Sequence, residues 1–149
     1  MNFPILSSLI LLPAVGALFL FFTRSNKENN ITVKYVALFT SLVNFFLSVY
    51  LWILFDQSTS EFQFVEDRVW IKDLINYKVG IDGISILFIV LTTFITPLCI
   101  ISVNNSIKNR LSEFLIAILI MESFMIGVFC SLDLVVFYLF FEAGLIPMF

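Results

Sequence analysis

The sequence predicts an all-α membrane protein with about five transmembrane helices. Of its 149 residues, 60% are hydrophobic and only 13% are charged. A soluble domain carries about one quarter charged residues, and its core could not enclose the 19 phenylalanines present here. The mean hydropathy is +1.06. Five apolar runs approach the length of about 20 residues that a helix needs to cross a bilayer.

The apolar runs define the helices of a single membrane domain, residues 1–149. The predicted helices comprise residues 3–22, 31–55, 79–103, 111–130 and 132–149, the last of them truncated. The first run has no basic segment before it and is long for a signal peptide, so we interpret it as a retained helix. Helices are the expected form of every run, because lipid offers no partners for exposed backbone groups.

Residues 56–78 form the one substantial polar stretch and are predicted to be an outer loop. The segment FQFV within it alternates aromatic and polar residues, which favours a short hairpin. An interfacial helix lying on the membrane, or a solvated connector anchored by Trp70 and Tyr77, fits the same residues. After the loop, Asp82 is predicted to cap the third helix, and Asp133 is predicted to cap the fifth.

The distribution of charge predicts the orientation of the chain. Residues 24–34 contain three basic residues and one acidic residue, and residues 108–113 contain two and one. The 56–78 loop contains three basic and five acidic residues. Because basic loops tend to stay on the cytoplasmic or matrix side, the N-terminus and the 56–78 loop are predicted to lie outside.

The sequence lacks the motifs of several kinds of site. It has no histidine and no CxxC motif, which removes the commonest ligands of haem, zinc and copper. Its five glycines form neither a GxGxxG nor a Walker pattern. The net charge of −3 does not suggest a nucleic-acid partner. We therefore expect no cofactor site and no metal site in this chain.

Two glutamates lie inside the last two apolar runs. Glu122 precedes the turn near Leu132 by ten residues and Glu142 follows it by ten. Each is therefore expected about 15 Å from the turn, near the bilayer midplane. A charge at that depth costs at least about 2.5 kcal/mol. An acid held there can load and release a proton, and we predict this role for both residues. The alternative is a protonated glutamate that only holds helices together.

The residues around Glu142 support a role in proton transfer. Tyr138 lies one turn before it on the same helix face. Pro147 leaves the carbonyl of Ala143 without its usual helical donor, and broken helices beside ionisable groups recur in transport sites. All eight lysines and arginines lie in loops or near helix ends. A cationic partner of Glu142 is therefore expected to come from elsewhere.

The motifs in the second half of the chain resemble one protein family. The run MESFMIGVFCSLDLVVFYLFFEAGLIPMF starts at Met121 and follows FQFVEDRVWI, VGIDGIS and LTTFITPLCI. This set, in this order, resembles subunit 4 of mitochondrial NADH:ubiquinone oxidoreductase, which is complex I. The resemblance covers residues 61–149, while the first two helices match only in hydropathy. The motifs separate the chain from subunits 2 and 5 and from Mrp-type antiporter chains.

This resemblance implies a fold and a role. Subunit 4 is an antiporter-like bundle in which two inverted five-helix repeats follow three N-terminal helices, and this chain resembles its N-terminal part. Glu142 would be the key acid of the first half-channel, paired with a lysine on the seventh helix, and Glu122 occupies a commonly acidic position. The chain would serve proton translocation without a redox centre of its own. NADH, FMN, iron–sulfur clusters and ubiquinone would bind other subunits.

The resemblance also implies partners and a location. Subunits 2 and 5 of the membrane arm are expected as neighbours, with lipid around them, in the mitochondrial inner membrane or alternatively a bacterial plasma membrane. Chains of this family are much longer, so either a second polypeptide is expected to carry the rest of subunit 4, or this chain is one fragment of a longer product. Two other functions stay open: a subunit of an Mrp-type sodium/proton antiporter, and a non-catalytic membrane assembly subunit.

Overall fold

The computed structural model describes residues 4–23, 30–71, 75–103 and 110–149. The elements are α1 Ile5–Thr23, α2 Asn30–Leu54, β1 Gln63–Ile71, β2 Ile75–Ile81, α3 Gly83–Ser102, α4 Leu111–Cys130 and α5 Leu134–Met148. Helices α1 to α4 are long and apolar enough to cross a membrane, and α5 is a shorter apolar helix. The predicted fold class is confirmed, and the hairpin is the correct interpretation of the outer loop.

Some predictions concern residues that the structure does not describe. Of the basic residues that predict the orientation, Arg24, Lys27, Lys72 and Lys108 lie outside the described residues, as does the side chain of Trp70.

Strands β1 and β2 pair in an antiparallel hairpin, in which Glu66 lies opposite Val79. This pairing places residues 79–81 in β2, whereas the sequence predicted that they belong to the third helix.

Helix α3 begins only after Asp82, whose carboxylate accepts a hydrogen bond from the Ser85 backbone N–H at 2.7 Å. The N–H of Asp82 donates to the Ser85 hydroxyl at 2.9 Å. The hydrogen bonds from Ser85 hold the pKa of Asp82 below its usual range. This reciprocal cap fixes the start of the helix.

The fifth helix starts two residues later than predicted, at Leu134. Asp133 is its N-cap, because one carboxylate oxygen accepts from the backbone N–H of Val135 at 2.7 Å. The backbone N–H of Leu132 donates to the carbonyl of Lys78 in β2 at 3.0 Å. The turn between α4 and α5 is therefore tied to the hairpin.

The hairpin marks one end of the helix bundle, which we call the hairpin end. Helices α1, α3 and α5 begin there, and α2 and α4 finish there. An apolar cluster lies toward this end and comprises Leu6, Leu9, Ile10, Leu51, Val79, Ile81, Ile86, Ile89, Ile126 and Cys130. A second cluster lies toward the opposite end and comprises Ala17, Leu20, Ala37, Ile100, Leu111, Leu115 and Leu119. The core of the bundle is thus divided into two apolar regions.

Glu66 of the hairpin caps the start of α1. Its Oε1 accepts from the backbone N–H groups of Leu6 at 3.0 Å and Ser7 at 3.3 Å, and its Oε2 accepts from the Ser7 hydroxyl. Helix α1 has no acidic residue in its own first turn. The hairpin therefore supplies the negative charge that the N-terminal end of the helix dipole favours, and this contact fastens the hairpin to the bundle.

Lys34 makes the corresponding contact at the opposite end. Its ammonium donates to the carbonyls of Val103 at 2.8 Å and Ile101 at 3.3 Å. These carbonyls lie at the end of α3, where no backbone N–H of a following turn donates to them. A cation there also interacts favourably with the helix dipole. Lys34 thus joins α2 to α3 at the end farthest from the hairpin.

Replacing Glu66 by alanine is expected to destabilise the bundle by about 1–2 kcal/mol, because Leu6 and Ser7 lose their cap. The hairpin should also become easier to cleave by protease. Denaturant unfolding in detergent micelles and limited proteolysis measure the two effects. The control is Glu61→Ala, since Glu61 is exposed and makes no ion pair or side-chain hydrogen bond with any described residue. Equal behaviour of the two variants would contradict the capping role.

Candidate functional site

The buried polar side chains of the described residues lie between the two apolar clusters. They are Ser41, Asn44 and Ser48 on α2, Thr93 and Thr96 on α3, and Glu122 and Ser123 on α4. We call this set the polar layer. On each of the three helices, cluster residues precede and follow it; on α4 these are Leu119 and Ile126. The layer is therefore enclosed by apolar side chains toward both ends of the bundle.

The spacing of residues along α2 explains why this layer forms. Ser41, Asn44 and Ser48 recur at intervals of three and four residues, so they share one helix face with Ala37 and Leu51 of the apolar clusters. The other faces of α2 carry exposed apolar side chains. A helix that turns its polar face inward and its apolar faces outward suits a lipid surrounding.

Glu122 and Asn44 form the central contact of the polar layer. The Asn44 amide Nδ2 donates to the Glu122 Oε1 at 2.9 Å. Asn44 is 0% exposed and Glu122 is 2% exposed. The other oxygen of each group, Asn44 Oδ1 and Glu122 Oε2, is buried and has no hydrogen-bond partner among the residues described. An acid is thus fully enclosed with an amide as its polar neighbour.

Further hydrogen bonds connect the polar layer to the neighbouring helices. The Ser48 hydroxyl on α2 lies 2.7 Å from the Thr93 hydroxyl on α3. The Ser123 hydroxyl on α4 donates to the carbonyl of Ile10 on α1 at 2.5 Å. Together with the contact between Asn44 and Glu122, these bonds join α1, α2, α3 and α4 at one level. Polar contacts between helices are retained in lipid because the groups find no water there.

Glu142 has a different environment from Glu122. Its side chain is exposed on the surface of α5, one helical turn after Tyr138, which is itself 59% exposed. Glu122 lies eight residues before Cys130, the end of α4, and Glu142 lies eight residues after Leu134, the start of α5. Both are therefore about 12 Å from the hairpin end. The two acids lie at a similar level, but one points into the bundle and the other away from it.

The packing of α5 on α4 explains why Glu142 points outward. The Phe140 ring lies against Gly127, where an added Cβ would come within 2.7 Å of it, and Gly144 faces Phe124. Phe140 and Gly144 thus form the face of α5 that contacts α4. Glu142 is two residues from each of them, which is about 200° around the helix. Glu142 must therefore point away from α4.

Asn44 is the important residue that sequence reasoning missed. The signal was present, since Asn44 is an amide in the middle of an apolar run and has serines three residues before and four residues after it. Of the predicted supporting residues, Tyr138 lies one turn before Glu142 on α5, and Pro147 lies in the last turn of that helix. No group of three or more histidine, cysteine, aspartate or glutamate side chains that could hold a metal occurs within 4–23, 30–71, 75–103 and 110–149.

Comparison with known proteins identifies relatives along the whole chain. NADH-ubiquinone oxidoreductase chain 4 of Marchantia polymorpha is 47% identical over 145 residues, which is 97% of this chain and 29% of that protein. The chain 4 of Arabidopsis thaliana is 46% identical over the same shares. NADH-quinone oxidoreductase subunit M of Rhodobacter capsulatus is 56% identical over 116 residues, which is 78% of this chain and 22% of that protein. No family model matches the chain.

The matches extend the predicted resemblance. They reach the first two helices, which the sequence motifs left outside it, because the alignments cover 97% of the chain or all of it. The chain spans about three tenths of the length of these relatives, 29% and 31% for two of them. The chain is therefore a homologue of the N-terminal portion of NADH-ubiquinone oxidoreductase chain 4 and its bacterial counterpart, subunit M.

Proposed function

We propose that this chain is part of the proton-translocating membrane arm of NADH:ubiquinone oxidoreductase and that Glu142 exchanges the translocated proton. The observation that carries the proposal is the position of Glu142. It lies inside an apolar helix, eight residues from its capped end, and its side chain is exposed on the same helix face as Tyr138. Homology to chain 4 and to subunit M supports membership of this enzyme.

Glu142 works by electrostatics in this proposal. Because a charge in lipid is costly, the carboxyl keeps its proton while no cation is near and releases it when a cation approaches. Helices α3, α4 and α5 contain none of the eight lysines and arginines of this chain. The cation is the lysine that the family resemblance places on the seventh helix of subunit 4. That helix lies beyond the matched portion, on a second polypeptide or on a continuation of this one.

Three other residues support the exchange. Tyr138 lies one turn before Glu142 on the same face of α5, where its hydroxyl can donate to the Glu142 carboxyl. Pro147 has no N–H to donate to the carbonyl of Ala143, so this carbonyl can accept a hydrogen bond from a water molecule one residue from Glu142. Glu122 acts from the neighbouring helix α4, where its protonation state changes the electric field at Glu142.

The proposal includes partners and a location. Subunits 2 and 5 of the membrane arm are the neighbours, and lipid covers the remaining apolar faces. NADH oxidation, the FMN and iron–sulfur clusters, and the reduction of ubiquinone belong to other subunits. The membrane is the mitochondrial inner membrane, or the plasma membrane for a bacterial relative. The N-terminus and the hairpin face the intermembrane space or the periplasm.

A structural role for Glu122 is the competing interpretation of that residue. The hydrogen bond between Asn44 and Glu122 favours it, because this bond joins α2 to α4 whether or not the acid ever changes its protonation state. The two roles differ in their consequences for pumping, which the next experiment measures.

Glu142→Gln is expected to leave assembly intact and to lower coupled proton translocation about tenfold or more, because the amide keeps the volume and hydrogen bonding but cannot release a proton. Glu122→Gln is expected to cause a milder loss. NADH-driven quinone reduction and proton uptake in sealed vesicles measure the effect, and the quantity of assembled complex is the control. Full pumping by an assembled Glu142→Gln complex would overturn the proposal, and loss of assembly would favour a structural role.

The orientation predicts opposite labelling of two engineered cysteines. Ser60, beside the hairpin, and Arg110, at the opposite end of the bundle, are both exposed. In a chain whose exposed native Cys99 is replaced by alanine, an impermeant thiol reagent is expected to label Ser60→Cys from the intermembrane-space side and Arg110→Cys from the matrix side. Labelling of both from one side, or with the sides reversed, would contradict the proposed orientation.

A further inference from the structure

We propose that Asn44 holds Glu122 in its protonated form, as a cyclic acid–amide pair closed by a hydrogen bond from the Glu122 Oε2–H to the Asn44 Oδ1. Asn44 is then a positioning residue that determines where the proton of Glu122 lies. This inference deepens the role of Glu122 in the proposed function, and its functional consequence rests on that proposal. The pairing itself rests on the contacts inside this chain.

The hydrogen bond already present leaves one atom free on each side of the pair. The Asn44 Nδ2 donates to the Glu122 Oε1 at 2.9 Å, and the two atoms without partners are Asn44 Oδ1 and Glu122 Oε2. An amide oxygen only accepts hydrogen bonds, and so does an ionised carboxylate oxygen. A carboxylate would therefore leave two buried acceptors that cannot satisfy one another. One proton on Oε2 turns that oxygen into a donor and satisfies both atoms.

Among the described residues, no charged side chain on the elements around α4 pairs with Glu122 to stabilise its ionised form. The elements that pack against α4 are α1, α2, α3, α5 and β2. Their titratable side chains are Lys34, Tyr35 and Tyr50 on α2, Cys99 on α3, Tyr138 and Glu142 on α5, and Tyr77 and Lys78 on β2, while α1 has none. Within the described part of the chain, none of them forms a hydrogen bond or ion pair with Glu122.

The two lysines in this set lie toward the ends of the bundle. Lys34 donates to carbonyls at the end of α3 and is ten residues, or about 15 Å along the helix, from Asn44. Lys78 lies in the hairpin, whose carbonyl at this residue accepts from Leu132 in the turn after α4. The apolar cluster of the hairpin end separates that level from the polar layer. A neutral Glu122 is therefore the form that this surrounding stabilises.

The pair has a consequence for the neighbouring acid. With Glu122 neutral, α4 places no fixed negative charge near Glu142, so Glu142 responds to the cation that approaches it from outside. Ionisation of Glu122 breaks the hydrogen bond from Oε2–H to the Asn44 Oδ1 and leaves these two buried oxygens as acceptors without a donor, while the bond from the Asn44 Nδ2 to Oε1 remains. The Asn44 Oδ1 thereby favours the uncharged form of Glu122.

Four variants of the assembled complex test the pair. In Glu122→Gln, the new amide donates to the Asn44 Oδ1 and accepts from the Asn44 Nδ2, which reproduces the protonated pair. Glu122→Leu leaves both polar atoms of Asn44 without partners. Asn44→Leu removes both partners of the acid. Ser41→Ala is the control, because Ser41 is buried in the same layer but its hydroxyl donates to the carbonyl of Leu38 within its own helix.

The first measurement is the quantity of assembled complex in membranes. We expect Glu122→Gln and Ser41→Ala to assemble at the level of the unmodified chain, and Glu122→Leu to assemble several-fold less. If Glu122→Gln assembles no better than Glu122→Leu, the cyclic pair is wrong.

The second measurement is an infrared difference spectrum between the unmodified complex and Glu122→Gln at neutral pH. We expect the carbonyl band of a protonated, hydrogen-bonded carboxyl, which is unchanged in Ser41→Ala and shifts to higher frequency or is lost in Asn44→Leu. Carboxylate bands in place of the protonated band would overturn the inference. The protonated band can also be present while an assembled Glu142→Gln complex still pumps. That combination would support the pair and reject the proposed function.

Discussion

The hydrogen bond between Asn44 and Glu122 is the interaction on which the rest of the bundle depends. An unpartnered amide or carboxyl in lipid is costly, so α2 and α4 must adopt the register that brings these two side chains together. In that register the hydroxyls of Ser48 and Thr93 also meet, and the apolar residues on both sides of the polar layer form two continuous clusters. A single polar level thus aligns four helices.

Charged groups at the two ends of the bundle hold that register in place. Glu66 of the hairpin caps the start of α1, and Lys34 of α2 binds carbonyls at the end of α3. Each charge lies at an end of the bundle, where the helix dipole favours it. The bundle is therefore apolar along its length, polar at one buried level and charged at its ends. Glu142 lies outside this arrangement, exposed on the outer face of α5.

Much of the fold follows from the sequence, but the directions of its side chains do not. Hydropathy indicated the apolar segments, and alternation within FQFV suggested the hairpin as one of three options. The similar level of Glu122 and Glu142 followed from counting residues. That the two acids point in different directions depends on the close contact of Gly127 with Phe140, which no periodicity in α5 indicates. The partner of Glu122 was missed because Asn44 is 78 residues away in the chain.

The central claim is that Glu122 is held inside this bundle by Asn44 while Glu142 is presented to a cation outside it. The measurement that tests it most directly is a structure of the assembled membrane arm in which side-chain oxygens are resolved. We predict that Glu122 Oε2 lies within hydrogen-bond distance of Asn44 Oδ1 and that the Glu142 carboxyl faces a lysine from outside helices α1 to α5. A structure in which Glu122 has turned away from Asn44 to a basic partner, or in which Glu142 faces only lipid, would contradict the claim.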